Sequence, residues 1–213
     1  MATDPQMTMN RVIHAAVRRD FERTAKALDA FRDGDTTRAA ELARAWDHLA
    51  HQLTHHHEQE DTLIWPALES LGVDPVLLGE MESEHQAMHD ALEETSGHMK
   101  RLGASARNED ATVAAEALEH TRTVTERHLR HEEDELEPQL LQHVESPEWK
   151  LVERRLRKQP LGVAGGFFAW VLDGLPPRED AYVRSAVPTP VVFLLSRVVG
   201  LGYRRRIAPV WRH

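Results

Sequence analysis

Between Thr54 and Pro66 the chain runs THHHEQEDTLIWP: three adjacent histidines, then alternating acids, then an apolar triplet closed by proline. There is no cysteine, so any metal must be held by histidine and carboxylate. Whether these residues can do so depends on where each one points. On a helix, Leu42, Trp46, Leu49, Leu53, His56, Glu60, Leu63 and Ala67 follow one another by alternate steps of four and three, which is the spacing of a core stripe. His56 and Glu60 are therefore expected to face inward. His55 falls with His48, Gln52, Gln59 and Thr62 on a polar face, and His57 lies on a flank.

The same device recurs. Shifted by 72 residues, HHEQEDTLIWP from His56 lies over HLRHEEDELEP from His128, matching His56 with His128, Glu60 with Glu132, Asp61 with Glu133 and Pro66 with Pro138. At an offset of 71, His14 in RVIHAAVRRD lies over His85 in ESEHQAMHD, with Arg18 opposite His89. His14 sits in the stripe Asn10, His14, Val17, Phe21, Thr24, Leu28, Phe31, while His85 and His89 stand among Leu78, Met81, Met88, Leu92 and Met99. Residues four apart on a helix are rotated by only about 40°, so His56/Glu60, His85/His89 and His128/Glu132 are each expected to share a face.

Five histidines and two glutamates then converge on one core. Burying them without a partner would cost several kcal/mol each, more than a marginally stable domain can bear, and a cation resolves the conflict. Taken singly, an inward histidine is usually a hydrogen-bonded core residue and an i,i+4 pair is common on surfaces; the conjunction on four successive helices is what favours metal. Seven ligands exceed one tetrahedral zinc and suit two adjacent octahedral ions bridged by carboxylates, which points to iron or manganese, and the nitrogen-rich set favours iron. His48, His51, His55, His57, His98, His120, His131, His143 and His213 are read as solvated or as supporting residues outside the ligand set.

These residues must be positioned by helices. The chain is 41% apolar, 29% charged and 6% aromatic, with long Ala/Leu/Glu/Arg-rich runs, so an all-α fold with a real core is expected. Asp4-Pro5, Asp35-Thr36, Asp74-Pro75 and Asn108-Glu109-Asp110 read as four helix starts, with stops near Phe31, Gly72, Gly103 and His143. Long helices joined by short loops imply an up-down-up-down four-helix bundle over residues 1–145, followed by a helical extension over 146–213. From Pro147 onward there are twelve Lys/Arg against five Asp/Glu, a net charge of +7, which leaves −16 of the overall −9 for the residues before it. A front part this acidic excludes nucleic acid as a partner. The extension is apolar as well as basic and is expected to pack as helices on the bundle or on a second subunit, with Phe167, Phe168, Trp170, Phe193 and Leu194 supplying buried area. A peripheral membrane contact through Arg204, Arg205 and Arg206 is the less favoured alternative. No secretory pattern or membrane-spanning run is evident, so a cytoplasmic location is expected.

IHAAVRRD, HHHEQEDTLIWP, EHQAMHD and HLRHEEDELEP, in this order over roughly residues 8–145, resemble the hemerythrin-like, or HHE cation-binding, family. The resemblance implies a four-helix bundle around an oxygen-bridged non-heme di-iron centre with a coordination position open to a small oxidant. It also implies that His85, His89 and His128 hold one iron and His14 and His56 the other, with Glu60 and one acid after His128 as bridges. Oxygen-carrying hemerythrins have HxxxxD on the last helix, whereas here Glu132 stands in HxxxE spacing and Glu133 in HxxxxE spacing; the repeat and the helical phase favour Glu132, with Glu133 as the alternative. Related proteins with HxxxE are more often sensors or redox-reactive proteins than carriers. The expected function is binding of and reaction with dioxygen, hydrogen peroxide or nitric oxide in oxidative or nitrosative stress defence, with a catalase- or peroxidase-like or nitric-oxide-consuming activity left open. The cofactor would be two iron ions, manganese or zinc being less favoured, and a reductase is an expected partner. The alternative is a non-catalytic oxygen or iron sensor or store with the extension as its output.

Overall fold

The computed structural model describes residues 6–212 and is all-α, with no strand among them. The start expected at Asp4-Pro5 lies outside the described residues. Helix α1 (Met9–Asp29) is instead preceded by Thr8, whose hydroxyl accepts from the Arg11 amide at 3.1 Å, a cap for one orphan donor of the first turn. The chain falls into two compact units. One comprises Met1–Glu22 with Pro160–His213, and the other Arg23–Gln159. The division differs in place from the composition change at Pro147.

The larger unit holds the long helices. Asp35 caps α2 (Thr36–Gln59) by accepting from the Arg38 amide at 2.9 Å, and Asp74 caps α4 (Pro75–Ser105) by accepting from Val76, with Pro75 at the first helical position. Between them α3 (Trp65–Ser70) continues the line of α2, and Leu71 and Gly72 turn the chain, Gly72 at a φ of +88° that favours glycine. Ala106, left-handed at φ 53°, ends α4 by donating to the Leu102 carbonyl, and α5 (Asn108–His131) begins two residues later. Short helices α6 (Glu137–Leu140) and α7 (Pro147–Leu156) follow.

Contacts fix the register. Along α4, Thr95 pairs with Thr121, Glu84 with His128 and Glu80 with His131, so α4 and α5 run antiparallel. Trp46 pairs with Ser96 and Asp61 with His85, so α2 and α4 are antiparallel too. The close approach of α2 to α4 depends on Gly103, where an added Cβ would stand 2.9 Å from the Ala43 methyl. Trp46 is fully buried and its indole donates to the Ser96 hydroxyl at 2.8 Å. Trp46→Ala is expected to cost about 3–5 kcal/mol, read as a lower urea midpoint with an unchanged helical circular dichroism signal at low denaturant.

The smaller unit contains the first part of α1 with α8 (Leu161–Val171), α9 (Pro177–Ala186), α10 (Thr189–Phe193), α11 (Leu201–Arg206) and a terminal 3-10 turn, Ala208–Arg212. A π-helical stretch, Leu194–Val199, links α10 to α11. Asp20, almost fully buried on α1, accepts from the Trp170 indole and the Arg19 guanidinium, both at 2.8 Å. Arg19 also donates to the Val171 and Trp170 carbonyls, satisfying acceptors at the end of α8. Asp20→Ala would remove the acceptor of the Trp170 indole and of the Arg19 Nε–H, at about 1–3 kcal/mol; faster amide exchange in α8 than in α4 would show that the loss is local.

Val199 and Ala169 pack where Gly165 and Gly200 have no side chain, with the Val199 Cγ1 only 2.5 Å from where a Cβ on Gly165 would lie. Trp170 is buried as expected, but Phe193 and Leu194 are 62% and 51% exposed. They fall on the outer side of a helix whose inner side is Val192, Leu195 and Ser196. No single helix among the described residues is long and apolar enough to cross a membrane.

Candidate metal centre

The two prolines matched by the repeat set the local geometry. At Pro66 and Pro138 there is no amide hydrogen for the usual i−4 bond, and the ring crowds the carbonyl one turn back. The helices do not end there as expected of a simple breaker. Each passes through one π-helical turn, Glu60–Ile64 and Glu132–Leu136, in which the Trp65 amide donates to the Glu60 carbonyl and the Glu137 amide to that of Glu132. Both turns start on the inward carboxylate. Each inserts one extra residue, which moves the buried positions after it: Trp65 and Leu68 enter the core where an uninterrupted helix would have placed Leu63 and Ala67. Trp65, Leu68, Leu77, Leu78, Met81 and Leu136 form an apolar cluster, and the Trp65 ring stacks 5.8 Å from that of His85.

His57, His85 and His128 are buried and bring one nitrogen each within 4.8 Å of one another. His85 Nδ1 stands 2.8 Å from an Asp61 carboxylate oxygen and His128 Nδ1 3.0 Å from one of Glu84. Hydrogen bonding by His128 and His131 holds the Glu84 carboxyl below its ordinary pKa, so it accepts. A carboxylate can only accept, so each Nδ1 donates to it, which turns each Nε2 toward the site. These two Nε2 atoms face each other at 3.2 Å. Burial, and His128 beside it, push the His85 pKa down, which keeps it neutral. Two ring nitrogens at that distance share either a proton, as a hydrogen bond, or a metal ion.

The second group lies beside the first. His56 Nε2 is 3.2 Å from Glu60 Oε1, and a nitrogen of His56 and an oxygen of Glu132 approach within 4.8 Å. Glu60 is 1% exposed, and its Oε2 has no hydrogen-bond partner among the described residues, with His85 Nε2 at 3.6 Å. Burial first, and then the Glu132 carboxyl within hydrogen-bonding reach, push the Glu60 pKa well up. Two buried carboxyls in contact, with an oxygen lacking a donor, fit a site that takes positive charge. The donor set of imidazole nitrogens and carboxylates fits iron or manganese.

His56, Glu60, His85, His128 and Glu132 are thus brought together in the larger unit. Glu133, the alternative to Glu132, is half-buried. His14, on the part of α1 in the smaller unit, is fully buried. His89, expected as a ligand, is exposed and belongs to neither group among the described residues. The α4 stripe runs Leu78, Met81, His85, Met88, Leu92, so the step of four into His85 is followed by a step of three, and the position after Met88 turns outward. His57, expected on a flank, is buried and stands in the first group. The α2 stripe takes successive steps of four from Leu49 through Leu53 to His57 before its step of three to Glu60, which buries His57 and leaves His56 at the edge, still largely covered. Asp61 and Glu84, which orient His85 and His128, were not anticipated; the match of Asp61 with Glu133 in the repeat was the one sign of the former.

A family model described as the hemerythrin HHE cation binding domain matches residues 10–140. No curated protein and no solved structure matches the chain. The family match spans more than half of the chain, both carboxylate-bearing π turns and every histidine of the two groups, and the protein therefore belongs to the hemerythrin HHE cation-binding family.

Proposed function

We propose that this is a non-heme di-iron protein that reacts with a small oxidant, namely dioxygen, hydrogen peroxide or nitric oxide, in oxidative or nitrosative stress defence in the cytoplasm. The observation that carries the reading is the convergence of one ring nitrogen each from the buried His57, His85 and His128 beside the buried Glu60 and Glu132. His57, His85 and His128 would hold one ion. His56, Glu60 and Glu132 would serve the second, with His14 added on its phase in the sequence and on the span of the family match. Iron bound there supplies redox reactivity and a coordination position for the oxidant.

The chain's own residues do the rest. Asp61 and Glu84 fix the tautomer and ring orientation of two ligands, and loss of either is expected to weaken metal affinity about 10–100-fold. Asp61→Asn and Glu84→Gln, titrated with iron(II), check this. The Trp65–Leu136 cluster keeps water from one side of His85. The function is tested by loading the protein with iron, measuring metal per chain and near-ultraviolet absorption, and following peroxide and nitric oxide consumption. Turnover no faster than that of free iron would end the enzymatic reading, and absence of stoichiometric iron would end both.

A second reading, a sensor or store whose extension is the output, is favoured by α1 itself. That helix carries His14 and, less than two turns later, the Asp20 carboxylate that holds Trp170 of the extension. Reversible oxidant binding without turnover, accompanied by a change in α8 amide exchange, would select it.

A further inference from the structure

The smaller unit contains a cavity of about 380 Å³ that the metal chemistry does not use. Four arginines line it: Arg184, Arg197, Arg204 and Arg212. Arg184 is engaged, its guanidinium donating twice to Asp180 at 2.6 and 2.9 Å. Among the described residues, Arg197, Arg204 and Arg212 make no ion pair with a carboxylate. The lining carboxylate, Asp173, accepts the Tyr203 hydroxyl at 3.0 Å, and burial pushes the Tyr203 pKa up, so the phenol stays a donor. The cavity thus gathers three cations outside any ion pair among the described residues against one lining carboxylate, an excess of positive charge on an extension that is itself strongly basic. Ala169, Leu172, Val192 and Ala208 form an apolar part of its wall, and Thr189 and Ser196 line it as well.

We propose that this cavity binds a phosphate monoester with an apolar substituent. Planar guanidiniums pair bidentately with phosphate oxygens, and a dianion answers the excess positive charge better than a monocarboxylate does. The volume exceeds that of a phosphate group and lies within the range of small-molecule sites, so the apolar wall has room for an organic substituent. Such a group can come from a soluble ester or from the headgroup of phosphatidic acid, and Phe193, both on the cavity lining and exposed, stands where an acyl chain would leave.

The test uses the full-length protein and two probes: phenyl phosphate in solution, and phosphatidylcholine vesicles with and without phosphatidic acid. Saturable phenyl phosphate binding by calorimetry, stronger than that of inorganic phosphate and weakened at least tenfold in an Arg197→Gln/Arg204→Gln variant, is expected. Arg212→Gln, at an exposed position, should weaken it too without altering the thermal midpoint. Vesicle binding that depends on phosphatidic acid and is lost in the double variant assigns the ester to a lipid; phenyl phosphate binding alone assigns it to a soluble ligand. Absence of saturable phenyl phosphate binding, or binding unchanged in both variants while their melting temperatures match the parent, overturns the proposal. Iron content is unaffected in either case, so failure here is separable from failure of the metal centre.

Discussion

Replacing His57 with alanine is expected to deprive the protein of one metal ion as completely as replacing His85, while His89→Ala leaves metal content unchanged. His57 and His85 are buried with their rings stacked 4.2 Å apart, and both offer a nitrogen to the group that includes His128. His89 is exposed one position past Met88 and joins no such group. Removing one of three imidazoles from a buried site leaves too few ligands for a transition metal. The expected result is loss of at least half the iron per chain in His57→Ala and His85→Ala, and none in His89→Ala or in His55→Ala, measured by elemental analysis after loading and desalting. Circular dichroism distinguishes ligand loss from unfolding. Full iron retention in His57→Ala, with loss in His89→Ala, would reinstate the register expected from the i,i+4 spacing.

That contrast also marks how far the sequence could be read. The caps at Asp35 and Asp74, the four long helical runs and the repeat that equates Glu60 with Glu132 depend on local spacing and side-chain type, and these are visible in one dimension. Buried glutamates could be found because carboxylates in core phase are costly and so conspicuous. The choice between His56 and His57 could not be made in the same way. Helical phase accumulates 100° per residue, so a stripe of alternating fours and threes can place its next step on either neighbour. Packing against α4 decides it. Glu84 and Asp61 were obscured for a different reason: each acts across helices, on His128 and His85 respectively, and no spacing within one helix signals a partner on another. The π turns lie between these cases. Pro66 and Pro138 announced a disturbance, but whether a proline ends a helix or is absorbed by one extra residue depends on whether the chain beyond it has core to bury. Trp65, Leu68 and Leu136 supply that core here.

Glu60→Gln is expected to move stability in opposite directions with and without metal. Glu60 is almost fully buried, its Oε2 has no donor among the described residues, and the Glu132 carboxyl stands against it. Keeping a charge there is costly, and keeping a proton there at neutral pH is costly too, because the pKa must be raised from the usual carboxylate range. The amide has no charge to desolvate and offers two donors to a neighbouring carboxylate. A gain of about 1–3 kcal/mol is expected from relieving such a group, or a few degrees in melting temperature at about 2–4 °C per kcal/mol for a chain of this size. With iron present the sign reverses. A ligand that binds only the folded state stabilises it by RT ln(1 + [L]/Kd), so the parent rises by about 2.7 kcal/mol at one hundred times its Kd, whereas Gln would be a poor substitute for a carboxylate ligand and the variant would gain little. The measurement is thermal unfolding of parent and variant, each with chelator and with excess iron(II) under anaerobic conditions. The two curves should exchange order between the two conditions. A variant less stable than the parent under both would mean that Glu60 is a structural residue whose charge is satisfied in the folded protein without metal.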